Sequence, residues 1–136
     1  MSTRLASSNV LVFTLAMSLN SHAQSMNAPD SPCQGVVVTS DLVKCLNQAL
    51  NASDAKLNSA YTQVQRALSA EEAKTLVQAQ RYWIQFRDAT CKAEYNLYGG
   101  GTGGPPTRLA CLEAETRARE ASLQRSFGWR VQKSGR

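Results

Sequence analysis

The sequence predicts an all-α fold: a three-helix, disulfide-stapled bundle with a long helical hairpin. Three observations carry that prediction. Apolar residues recur at steps of three, four or seven over most of the chain, the spacing of a buried helix stripe. Almost nothing alternates as a half-buried strand must, and Val36-Val37-Val38 is too short to found a sheet. Cys33, Cys45, Cys91 and Cys111 are even in number and sit in a chain that reads as exported, which favours disulfides over free thiols.

Residues 1–23 read as a signal peptide. Arg4 supplies a positive n-region, Val10 to Leu19 an apolar h-region, and Ser21-His22-Ala23 the small residues before a cut near Ala23. The chain left from Gln24 onward has the length of one domain, enough for a single core but not for a core plus a catalytic lobe. Residues 24–38, with Asn27, Pro29, Asp30 and Pro32, form a leader without periodicity. Ser40 can then cap a first helix, whose first turn carries Asp41 at the positive end of the dipole. Its stripe, Leu42, Leu46, Leu50, Leu57, Tyr61, Val64 and Leu68, runs from about 41 to 68. Ser69-Ala70-Glu71-Glu72 matches a capping box, so a second helix begins at once. Its stripe takes Leu76, Trp83 and Cys91 and ends near Tyr98, where Gly99 suits a left-handed C′ position. So short a link leaves two outcomes, a hairpin or one kinked rod. The run from Gly99 to Pro106 reads as a loop, after which Thr107 can cap a third helix bearing Leu109, Leu112, Leu123 and Phe127 and ending at Gly128. The helical domain is thus placed at 39–128, and 129–136 is a short basic tail that reads as a frayed end.

Charge and composition narrow the function. The net charge is +5, and loss of Arg4 would lower it by one. The basic residues are scattered and interleaved with acids, so they do not form the stripe that binding to a phosphate backbone needs, and no nucleic-acid partner is expected. After the h-region no apolar run approaches the roughly 20 residues of a membrane span, and no cysteine follows the cut to carry a lipid. The expectation is a periplasmic or secreted protein with no membrane anchor. The cut also removes His22, the only histidine. Without imidazole or free thiol an enzyme would need paired carboxylates, and spacing locates none, so the chain is not expected to be an enzyme. No cofactor is expected either; a four-thiolate zinc site is the one metal alternative to disulfides. Three pairings of the cysteines are possible. Loop closure favours neighbours in sequence, Cys33 with Cys45 and Cys91 with Cys111.

Polar residues interrupt the apolar stripes. Asp54 and Asn58 accompany Tyr61 on the first helix, Gln80 and Arg87 flank Trp83 on the second, and Thr116 and Arg119 lie inward on the third. A lone buried charge costs several kcal/mol, so these groups should find one another. The expected arrangement pairs Asp54 with Arg87 or Arg119, bridged by Asn58, Gln80 and Thr116, with Tyr61 and Trp83 in the core. Such a network either sets the register of the helices or leaves an arginine open to an anion. The loop Gly99, Gly100, Gly101, Thr102, Gly103, Gly104, with Arg108 beside it, is the candidate partner-binding segment. It is no phosphate cradle, because Pro105-Pro106-Thr107 stands where Lys followed by Ser or Thr would be required. An exposed loop tied at its base can enter a partner's cleft.

Taken in order, Cys45, Ser53-Asp54, Leu57-Asn58, Tyr61, Gln80-Arg81, Trp83, Phe86-Arg87-Asp88, Cys91, Gly100-Gly101, Cys111, Thr116 and Arg119 resemble the LprI-type lysozyme-inhibitor domain, over about 33–124. The chain departs from the usual pattern at Ser53, at Ser122-Leu123 and in its longer Gly- and Pro-rich loop. The resemblance implies a small, exported, mainly helical bacterial protein with disulfides that inhibits lysozyme or another cell-wall hydrolase. A lysozyme cleft holds two carboxylates, so an inhibitor would offer a cation there; Arg108 and Lys92 stand nearest the loop. The alternative is a periplasmic envelope module that binds another protein or an anionic ligand without inhibiting lysozyme.

Overall fold

The computed structural model describes residues 25–135, so the signal-peptide reading of 1–23 lies outside the described residues. A single 3-10 turn at Ser25–Asn27 precedes three helices, α1 at Thr39–Ala67, α2 at Ala70–Asn96 and α3 at Gly104–Ser134. No strand occurs among the described residues, and the fold is the all-α bundle that the stripes predict.

The link between α1 and α2 is set by its own chemistry. Leu68 and Ser69 both take extended backbone angles, which ends the first helix and turns the chain before the second begins. The Ser69 hydroxyl accepts from the Glu72 amide at 3.4 Å, and the Glu72 carboxylate accepts from the Ser69 amide at 2.7 Å. This reciprocal cap satisfies donors that a helix start leaves open. The chain therefore folds back as a hairpin rather than continuing as a rod, and Arg87 of α2 returns to the level of Asp54 on α1. The third helix packs on both others, parallel to α1 and antiparallel to α2.

Two apolar clusters form the core. One joins Leu57, Val64, Leu76 and Leu123, with Tyr61, Trp83, Phe127 and Val131 packed against it. The other joins Cys33, Leu46 and Ala110 at the opposite end. Between them Ser53, Glu113 and Thr116 are buried, so a polar layer crosses the middle of the bundle. Cys33 is bonded to Cys45, which staples the leader to α1, and Cys91 to Cys111, which ties α2 to α3 below the glycine-rich loop. All four cysteines are consumed in these bonds, which leaves no thiolate for the zinc alternative.

Three helix ends differ from the sequence reading. Val38, not Ser40, occupies the N-cap of α1, and no side chain caps that end. The third helix starts at Gly104 rather than after Thr107, with Pro105 and Pro106 in its first turn. Proline is tolerated there because the first-turn amides have no helical acceptor in any case. Nor does α3 stop at Gly128; it runs to Ser134, and residues 129–134 are helical rather than frayed. A glycine within a helix costs about 1 kcal/mol, and the packing of Val131 together with an Arg130–Glu72 ion pair at 2.8 Å offsets it. No described helix is long and apolar enough to cross a membrane.

Candidate functional site

The polar layer is built by about one turn of α1 and about two turns each of α2 and α3. Arg87 comes inward from α2 beside Trp83, its guanidinium 5.0 Å from the ring centre. It faces Asp88 at 2.9 Å and Asp54 at 3.8 Å and donates to the Thr116 hydroxyl at 3.4 Å. Arg119 also lies over the Trp83 ring, 5.9 Å from its centre, and its Nε donates to Gln80 Oε1 at 3.0 Å. The structure thus brings together Asp54, Gln80, Trp83, Arg87, Thr116 and Arg119, with Tyr61 packed against the adjoining cluster. Two expectations need correction. Asn58 does not bridge the network, because it sits one residue past Leu57 on the stripe and is exposed. Asp54 is a rim residue with 44% of its side chain exposed, so its pairing with Arg87 is half solvated.

The buried carboxylate of this layer is a different one. Glu113, with 4% of its side chain exposed, accepts from the Ser53 hydroxyl at 2.9 Å and from Arg117 Nε at 3.2 Å. Arg117 also donates to Asp30 of the leader at 2.7 Å. That hydrogen bond and charge hold the Asp30 carboxyl below the usual range. Sequence reasoning passed over Glu113, although the signal was present. It lies four residues after Leu109 and three before Thr116, on the same helix face.

At one end of the bundle, residues 97–103 connect α2 to α3. Gly99 and Gly100 take φ of +54° and +84°, a region that side-chain-bearing residues rarely enter. The Gly101 amide donates to Tyr98 O at 2.8 Å, which closes the turn. Gly99 to Thr102 are exposed, as is Arg108, and Leu97 projects with 78% of its surface exposed. Gly104 is buried, and at Gly103 a Cβ would lie 2.5 Å from the Tyr98 ring. The candidate loop therefore divides into an outward part, Gly99 to Thr102, and a base packed on tyrosines. Lys92 is held over the Tyr95 ring at 4.7 Å, whereas Arg108 points its charge at solvent from the first turns of α3. Beneath the loop, burial and then the Glu115 charge push the Glu94 carboxyl up, and its Oε2 has no hydrogen-bond partner. No cluster of three potential metal ligands occurs among the described residues.

Comparison with known proteins places the chain in a family. The profile of the family described as "Lysozyme inhibitor LprI" matches residues 31–123, which takes in both disulfides, the polar layer and the loop. The chain is also similar to an uncharacterized protein of Rhizobium meliloti (strain 1021), 32% identical over 109 residues, covering 71% of this chain and 78% of that protein. No solved structure matches.

Proposed function

Because the chain belongs to the lysozyme inhibitor LprI family, we propose that it is an exported binding protein that occludes the active cleft of lysozyme or a related peptidoglycan-cleaving enzyme. The observation that carries this reading is the outward loop. A narrow, side-chain-poor turn is anchored by the buried Cys91–Cys111 bond and flanked by exposed Leu97 and Arg108. Such an element enters a cleft at little entropic cost, because its ends are already fixed. Leu97 supplies apolar contact, and Arg108 supplies the cation that a pair of cleft carboxylates attracts. The protein acts as a plug rather than as a catalyst.

Clearing of a cell-wall suspension by C-type lysozyme tests the proposal. Added protein is expected to slow clearing in proportion to its concentration, and Arg108→Glu to weaken inhibition about tenfold or more. Unchanged clearing at large molar excess contradicts it.

A further inference from the structure

At the end of the bundle away from the loop, roughly 30 Å along α2 at 1.5 Å per residue, the start of α2 and the end of α3 enclose a cleft of about 480 Å³. That size lies within the range of small-molecule sites. Its lining combines two kinds of group. Leu76, Phe127 and Trp129 give it apolar and aromatic walls, and Trp129 remains 61% exposed despite its size. Arg119 and Arg130 bring positive charge to the same space. The fold answers the two arginines differently. Arg130 is neutralised by Glu72 at 2.8 Å. Arg119 is met by the Gln80 amide oxygen, the Trp83 face and the nearby Tyr61, and no carboxylate lies within ion-pair distance of it among the described residues. Burial makes its charged form harder to hold, as its lowered pKa reflects.

A half-buried cation without a counter-ion is costly unless something supplies the charge. With Glu72 already engaged by Arg130, the lining keeps one positive charge in excess beside an apolar wall. We propose that this cleft binds a small amphipathic carboxylate, with its acid group on the Arg119 guanidinium and its hydrocarbon body against Phe127 and Trp129. A guanidinium meets a carboxylate through two parallel hydrogen bonds, which fixes the orientation of the acid. The aromatic walls remove the hydrocarbon from water. This site is separate from the loop and does not rest on lysozyme inhibition.

Sodium decanoate is a suitable probe, and the protein carries its own reporters. Its two tryptophans are Trp129, on the cleft wall, and Trp83, beside Arg119. Titration of the purified protein is expected to give a saturable change in tryptophan fluorescence with a Kd below about 1 mM. Decanol, which has the same chain without the charge, is expected to bind at least about tenfold more weakly. Arg119→Gln should raise the decanoate Kd by about tenfold or more while leaving the decanol response in place. Ala79→Phe, which fills the cleft from an exposed position on α2, should abolish both responses, and it serves as the deciding variant should Arg119→Gln fail to fold. No saturable response to decanoate up to about 5 mM, equal affinity for decanol, or unaltered binding in a folded Arg119→Gln or Ala79→Phe protein would overturn the assignment.

Discussion

Glu94 shows how a single side chain can set the pH response of a small bundle. Its carboxyl is pushed above the ordinary range by burial first and by the neighbouring Glu115 charge second. A raised value means that the folded state holds this proton more tightly than the unfolded chain does. The stabilisation it gives is therefore complete below the unfolded carboxyl pKa and is lost as pH rises through the folded value. Asp30 and Glu72 have the opposite sign. The Arg117 hydrogen bond lowers the first and the Ser69 backbone hydrogen bond the second, so their contributions are present above the ordinary carboxyl pKa and vanish as pH falls through the folded values. Glu94→Gln is neutral at every pH and should raise the thermal midpoint at neutral pH. The gain should shrink as pH is lowered toward about 4, where the native carboxyl is protonated as well. Thermal melts from about pH 3 to 8 check this, and a gain of the same size at both ends would show that ionisation of Glu94 is not the cause. The Glu94 shift was not legible in the sequence, because the closeness of Glu94 to Glu115 depends on where α2 meets α3, whereas the Glu72 contact with Ser69 belongs to the capping box and was. Arg87, Gln80, Thr116 and Arg119 were legible, since each replaces an apolar residue at its own stripe position. Asn58 was misplaced because a step of one residue on a helix turns a side chain by about 100°.

Between residues, the helix ends sort by what determines them. The start of α2 could be read directly, because a capping box is complete within four neighbouring residues and needs nothing from the rest of the fold. The far end of α3 could not, since Gly128 invites a stop that only the contacts of Val131 and Arg130 with distant elements override. Helix α2 also carries large apolar groups on its outer side, Tyr82 and Phe86 among them, so periodicity alone defines its inward face less sharply than that of α1. The Cys91–Cys111 bond compensates by holding α2 to α3 where its stripe is sparse. It closes a separation of 20 residues, and removing such a link costs about 3 kcal/mol in a chain-entropy account. Replacing both cysteines with serine should lower stability by about that amount in chemical denaturation. The same variant should blunt any loop-dependent inhibition measured well below its midpoint, because the loop base is no longer fixed. A variant as stable as the parent would place the anchoring elsewhere, in the packing of Gly103 and Gly104 on Tyr98 and Tyr95.

For the molecule as a whole, the two ends differ in make-up. A side-chain-poor loop caps one, and an arginine-bearing cleft opens at the other, with the polar layer and two disulfides keeping both on one frame. The number of helices and their cross-links were legible because each follows from local spacing, whereas the cleft arises only where the start of α2 meets the end of α3. Long-range electrostatics then constrains the partner. The chain carries a net charge of +5, one less without Arg4, and animal lysozymes are strongly basic, so a complex between them would form against mutual repulsion at distances beyond contact. Salt screens that repulsion over about 10 Å at 0.1 M, while the short contacts of an inserted loop are affected much less. The association rate with such a lysozyme should therefore rise severalfold between about 0.02 and 0.2 M salt, with little change in dissociation. Stopped-flow mixing at several ionic strengths measures both rates. A rate that falls with salt would mean that the complementary surface is acidic, and the search for the partner would then turn from basic lysozymes to acidic cell-wall hydrolases.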